Sequence, residues 1–395
     1  MKNGWRTRTL AEVCEIVNGG TPKTGVPAYW DGSHLWITPA EMGKRLSPYI
    51  NETERKLTEL GLASSSARML PPNSVILSSR APIGHLVINT KPMATNQGCK
   101  GLIPRSELQF KFLYYYLGSV VDLLNSLGTG ATFKELSGAK LKEVPIPVPP
   151  LPEQQRIVGI LDEAFESIAT AKANAETNLQ NARAIFESHL RSIFTQRGDK
   201  WVERRLGELA RINYGYTESA SAEMVGPKFL RITDIQENGV DWANVPYCPI
   251  DASDYPKYKL ADGDIVFART GATTGKSFLV VNPPEAVCAS YLIRVQVSRA
   301  ELLPPFLNLF FQTPVYWENI RAGVSGSAQG GFNATKLGEL VIPFPTSTTE
   351  QQSIVARLDA LSGETQRLQS IYQQKLAALE ALTKSLVHQA FTGNL

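Results

Sequence analysis

Histidine and cysteine are scarce in this sequence of 395 residues, with four of each. Cys14, Cys99, Cys248 and Cys288 form no Cys-x-x-Cys pair. That argues against a zinc site or a disulfide framework and points to a reducing cytoplasm. No apolar run approaches the roughly 18 residues a membrane helix needs, so no membrane association is expected. The opening Met-Lys-Asn-Gly-Trp-Arg lacks the apolar stretch of a signal peptide. A strong charge excess is missing too. The net charge of +3 suits an anionic partner but is far from that of a histone-like binder. With 43% hydrophobic and 19% charged residues, the chain reads as soluble and globular, long enough for two domains plus connectors.

Catalytic sets are missing as well. No Ser/His/Asp or Cys/His arrangement stands out. Gly271-Ala272-Thr273-Thr274-Gly275-Lys276-Ser277 looks like a Walker A loop, but three residues separate its glycines where that loop needs four. Asn282-Pro283-Pro284-Glu285 has Glu where the Asn-Pro-Pro-aromatic motif of adenine methyltransferases stacks a ring on a flipped base. No glycine-rich cofactor loop precedes it. A glycine-rich basic loop and a Pro-Pro turn are the better readings.

What is present is a repeat. Glu-Gln-Gln-x-Ile-Val-x-x-Leu-Asp runs from Glu153 to Asp162 and again from Glu350 to Asp359. Around it, Trp5, Arg8, Leu10, Glu12, Ile16, Gly19 and Thr21 match Trp201, Arg204, Leu206, Glu208, Ile212, Gly215 and Thr217. The middle of each copy matches poorly. Val-Ile-Leu-Ser-Ser-Arg, ending at Arg80, aligns with Asp-Ile-Val-Phe-Ala-Arg, ending at Arg269. A shared frame around divergent interiors implies one job done twice and two different jobs inside. Such a chain should meet a twofold or bipartite partner.

Each copy reads as two parts. Residues 1–150 and 198–348 combine Gly, Pro, aromatic and β-branched residues with short apolar runs. They predict mixed α/β domains of short strands, with one helical stretch each near 113–124 and 306–320. Proline signals close them: Pro145, Pro147, Pro149, Pro150 and Pro152, then Pro343 and Pro345. Residues 151–197 and 349–395 follow as long helices, proline-free over 153–196 and 350–391. The second carries a seam at spacings of four and three: Ile354, Leu358, Leu361, Thr365, Leu368, Tyr372, Lys375, Leu379, Leu382 and Leu386. The first follows Ile157, Leu161, Ala164, Ile168, Ala171 and Ala175, then shifts phase to Leu179, Phe186, Leu190 and Ile193, as a four-residue stutter would produce. Rods of about 65 Å are too long for 150-residue domains to cover. The fold class expected is therefore α+β, two mixed domains separated by an antiparallel coiled-coil pair. The competing expectation is that each helix packs on its own domain. Thr-Ser-Thr-Thr between Pro345 and Glu350 leaves the second helix start less sharply defined.

Polar loops hold the remaining candidates, because Arg, Lys, Thr, Asn and Gln contact phosphates and base edges. In the first copy these are Thr38, Lys44, Arg80, Lys100, Thr129 and Lys134. In the second they are Arg231, Arg269, Thr273, Lys276, Ser327, Gln329 and Asn333. For Arg80 and Arg269 the alternative is an ion pair anchoring the strand end.

The ordered set of duplicated Pro-x-Pro…Glu-Gln-Gln-x-Ile-Val…Leu-Asp junctions, Ser-Arg-Ala-Pro-Ile-Gly (79–84), Ala-Thr-Asn-Gln-Gly (94–98) and the closing Phe391-Thr392-Gly393-Asn394-Leu395 resembles the specificity subunit of type I restriction–modification enzymes. The resemblance implies two target recognition domains, each reading half of a bipartite site in the major groove of double-stranded DNA. It implies that the two helices form a spacer that docks two methyltransferase subunits, which restriction (motor–nuclease) subunits can join. By the same resemblance the chain has no active site and no cofactor of its own. Its partners bind S-adenosylmethionine, ATP and magnesium. Two other readings are a catalytic methyltransferase or fused single-chain enzyme, which S-adenosylmethionine binding by the chain alone would reveal, and a coiled-coil scaffold that binds only protein.

Overall fold

The computed structural model of the protein describes residues 4–45, 47–130, 134–236, 239–325 and 331–395. The chain divides into two compact units, Met1–Glu176 with Gln374–Leu395, and Thr177–Gln373. Among the described residues, no helix is long and apolar enough to cross a membrane.

A two-stranded antiparallel ribbon closes the first unit, with Arg6–Thr9 against Pro145–Val148. Prolines fit there because Pro145 and Pro147 are two apart. Both missing N–H groups fall on one side of the strand, away from the partner. The main sheet runs in the order Cys14–Asn18, Cys99–Pro104, Val75–Ser79, Ile83–Asn89, Tyr49–Ile50. In the second unit the ribbon pairs Trp201–Arg205 with Val341–Pro345. The sheet follows the same path: Ala210–Tyr214, Leu292–Val297, Ile265–Ala268, Ser277–Leu279. Additions to the frame differ. The first unit carries a sheet of Arg55–Leu57, Trp30–Ile37 and Ala94–Thr95. The second carries a parallel pair, Lys228–Leu230 with Ala286–Cys288, and a hairpin of Ile235–Gln236 with Gly239–Val240. The α+β class and the repeated frame are therefore as expected.

Three details differ from the sequence expectation. The helical stretch of each copy is a pair of helices, Phe110–Ser119 with Val121–Leu127, and Pro304–Phe310 with Pro314–Ser325. In the second pair Thr313 precedes a proline, which disfavours continued helix. Its hydroxyl instead accepts the N–H of Tyr316 at 3.2 Å as a new cap. The second difference is that Arg80 and Arg269 are not equivalent. Ser78 pairs with Cys99 and Ala268 with Leu292. Leu136 donates its N–H to the carbonyl of Ser79, and Phe332 donates to that of Arg269. Arg269 thus matches Ser79, and Arg80 matches Thr270. One residue of slip sends side chains to opposite faces, and only the neighbouring strand sets that register. The third concerns the long helices.

These helices are Leu151–Thr195 and Thr348–Thr392, 45 residues each. The second begins cleanly despite its altered approach, because the Ser347 hydroxyl accepts the N–H of Glu350. The pairing is antiparallel. In the first unit Arg156 reaches the Leu395 carbonyl at 2.7 Å, and in the second Arg183 reaches Gln369 at 3.4 Å. Both expectations for packing hold, at different places. Ile157, Val158, Leu161 and Ala390 join the first unit's core, and Leu190, Phe194, Ile354 and Leu358 join the second's. Between these ends Ala175, Ala182 and Thr365 are buried along the pair. The seam of the first helix also includes Ala182. From Ile168 to Leu190 it advances by three, four and four residues, twice, an eleven-residue period that relaxes left-handed supercoiling. The second seam departs from the expected spacing. It passes through Leu376 and Thr383, leaving Lys375 and Leu382 exposed. Its four-and-four step at Leu368, Tyr372 and Leu376 falls opposite the step at Ala175–Leu179 in the antiparallel register. This step of the second helix has a counterpart in its partner, which counting along one helix does not reveal, whereas the first helix's further step at Ala182, Phe186 and Leu190 faces the regular spacing of Leu361, Thr365 and Leu368.

The repeated Glu-Gln-Gln has a structural explanation in its middle residue. Gln154 accepts the N–H of Gln109 at 2.9 Å and donates to the carbonyls of Glu107 and Pro149. Gln351 accepts the N–H of Leu303 at 2.8 Å and donates to the carbonyls of Glu301 and Pro345. Both glutamines are 0% exposed. Each clamps the ribbon strand, the long helix and the loop before the next helix at a single point.

Candidate nucleic-acid interface

Several of the polar candidates gather at the same end of the sheet in each unit. In the first unit this is the end of Val75–Ser79 and the start of Cys99–Pro104. Arg80 forms an ion pair with Glu135 at 3.8 Å, and Thr129 pairs with Glu135 through the backbone. Lys134 packs beside Gly128. Lys100 lies beneath this group, 7% exposed. Burial pushes its ammonium pKa down, while the nearby Glu135 carboxylate pulls it back up. Thr38 caps the helix Pro39–Met42 by accepting the N–H of Glu41 at 3.2 Å, and Pro39 abuts Gly98 beside Arg80. Lys44 is surface-exposed and paired with Glu54 at 3.3 Å, a contact too solvated to contribute much. For Arg80, then, the anchoring ion pair exists at the strand end.

In the second unit Arg269 has no acidic partner among the described residues. Its guanidinium lies 4.7 Å from the Tyr214 ring centroid and reaches the Ser290 carbonyl at 3.4 Å. Tyr214 in turn accepts the N–H of Ala334 at 3.2 Å, next to Asn333, whose side chain caps the helix Ala334–Gly338. Thr273 and Lys276 occupy the turn after Arg269. The Ala268 N–H donates to the Lys276 carbonyl, which folds the turn back on the strand. Lys276 is exposed, with no ion pair among the described residues. Arg231 stands apart in character, gripped by Asp234 at 2.7 and 3.0 Å, which holds its guanidinium firmly charged. Ser327 and Gln329 lie outside the described residues. Tyr214 escaped sequence reasoning, although it directly precedes Gly215 of the repeated frame.

The two tempting motifs resolve as turns. Gly271–Thr273 is a short 3-10 turn leading into the strand Ser277–Leu279. A Walker A loop leads into a helix whose N–H groups meet the phosphate. Asn282, with φ of +44°, begins the turn between Ser277–Leu279 and Ala286–Cys288. No cluster fit to hold a metal occurs among the described residues.

The repeated frame has a counterpart among known families. The family model described as type I restriction modification DNA specificity domain matches residues 2–179 and again residues 198–378. The chain belongs to this family. It is a specificity component, whose part is recognition rather than catalysis. The specificity subunit of the type I restriction enzyme MjaIX from Methanocaldococcus jannaschii is 27% identical over 74% of this chain and 72% of that protein. The EcoKI specificity subunit of Escherichia coli K12 is 23% identical over 100% of this chain and 90% of that one. The fold is shared with a chain solved in work on assembly and conformational transition of the type I R-M system, at TM-score 0.78, 19% identity and coverage of 100% and 99%. It is shared also with the HsdS subunit from Thermoanaerobacter tengcongensis, at TM-score 0.64, 19% identity and coverage of 100% and 98%.

Proposed function

We propose that this specificity chain reads a bipartite site in double-stranded DNA within the cytoplasm. Residues 1–150 take one half-site and residues 198–348 the other. Residues 151–197 and 349–395 act as a spacer that docks two methyltransferase subunits, which restriction subunits can join. Cofactor chemistry belongs to those partners. One observation carries the reading: the same sheet end, in two copies of one frame, presents two different sets of cationic and hydroxyl side chains, Arg80, Thr129 and Lys134 in one and Arg269, Thr273 and Lys276 in the other. Ile185 and Leu382 favour the docking role. They occupy equivalent positions of the two repeats, outside the seam, at 39% and 46% exposure, and so offer one apolar residue to each of two like partners.

Phosphate contacts dominate DNA affinity, and a net charge of +3 supplies few of them. The chain alone is expected to bind DNA weakly and with little sequence preference. Binding should tighten at least tenfold or so when methyltransferase subunits join. Nanomolar, selective binding by the isolated chain at physiological salt would overturn this. Lys276→Ala should weaken binding of the complex several-fold for all sequences alike and lower the salt slope by about one, with unchanged thermal unfolding. An unaltered slope removes Lys276 from the interface.

A further inference from the structure

The two copies share their strand frame but differ at one turn, and this difference singles out a residue. We propose that Tyr291 reads a base-pair edge in the half-site taken by the second unit, an inference that rests on the recognition role proposed above. Ser78 pairs with Cys99 and Ala268 with Leu292, so Tyr291 stands where the first copy has Gly98. Backbone bonds agree. The Ser79 N–H donates to the Gly98 carbonyl at 2.7 Å, and the Arg269 N–H to the Tyr291 carbonyl at 3.2 Å.

In the first copy that place is tight for a side chain. A Cβ on Gly98 would lie 3.1 Å from both Arg80 and Pro39. In the second copy the Tyr291 side chain stands 67% exposed, second only to Met224 among the described large hydrophobic residues. Its hydroxyl has no hydrogen-bond partner among the described residues. The backbone that presents it is pinned on both sides. The Ala289 N–H donates to Leu230, the Leu292 N–H donates to Ala289 at 2.8 Å, and the Ser290 carbonyl accepts from Arg269.

A tyrosine held this way loses little side-chain freedom on binding, having only two side-chain torsions to fix. Its ring can pack on a thymine methyl, and its hydroxyl can donate to or accept from a base edge. Arg269 at the same turn supplies a cation suited to the adjoining phosphate. Phosphate contacts set the position, and the phenol supplies sequence information that the first copy, with glycine there, cannot provide.

The test uses the full chain with the methyltransferase subunits of its own system and a pool of duplexes randomised over both half-sites. Tyr291→Ala should cut discrimination at one position of one half-site from roughly tenfold or more to under about threefold. The other half-site, the salt slope and thermal unfolding should stay as in the wild type. Retained preference at every position would sink the assignment. So would equal weakening on all sequences, which marks a phosphate contact; either result leaves the recognition role standing. A wild-type complex that selects no sequence would overturn both.

Discussion

Gln351→Leu is expected to lower the unfolding midpoint of its unit by roughly 10 °C, and Gln154→Leu to do the same for the other. Leucine matches the volume but makes none of the three hydrogen bonds. An amide N–H and two carbonyls would remain buried without partners, namely those of Leu303, Glu301 and Pro345 around Gln351, and of Gln109, Glu107 and Pro149 around Gln154. Each orphaned group costs roughly 1–3 kcal/mol, so about 3 kcal/mol or more is at stake. A domain of this size shifts by about 2–4 °C per kcal/mol. Gln→Glu should be no milder, since it keeps the acceptor but loses both donors and buries a charge. Calorimetry on the full chain decides the matter. A shift below about 2 °C for Gln351→Leu would mean that water or backbone movement satisfies those groups and that the clamp is incidental.

Lengthening both long helices by four residues, between Ala175 and Leu179 and between Tyr372 and Leu376, should widen the gap between half-sites by about two base pairs. Four residues add about 6 Å of helix, and each base pair rises about 3.4 Å. Both insertions fall where the seams already step by four and four, so each adds one more such step and the apolar faces stay in phase. An insertion in the first helix alone leaves its new turn without a partner and should give a less stable protein with lower modification activity. Methylation mapping reads the outcome. An unchanged gap in an active double insertion would remove the helices as the spacing element. Altered half-site sequences would show that recognition extends beyond the two flanking domains.

Much of this protein could be read along the chain, because repeats and helical periods are local. The proline signals and the two proline-free helices that follow them each lie within a few dozen residues of sequence. Local propensity and breaker chemistry suffice to place them to within two or three residues. The tertiary structure decided matters that depend on a neighbour distant in sequence. Whether Arg269 matches Arg80 or Ser79 is set by the pairing of Ala268 with Leu292 and Ser78 with Cys99, which no alignment of strand ends can see. The second seam takes Leu376 and Thr383 in place of Lys375 and Leu382 because the partner helix steps at the opposing point. The polar loops were recognisable by composition, but composition could not tell a buried Lys100 from an exposed Lys276, or pair Arg80 with Glu135. No repeat, motif or helical period marks Tyr291 in the sequence. It stands out only once the fold places it opposite Gly98 of the other copy and leaves its ring in solvent.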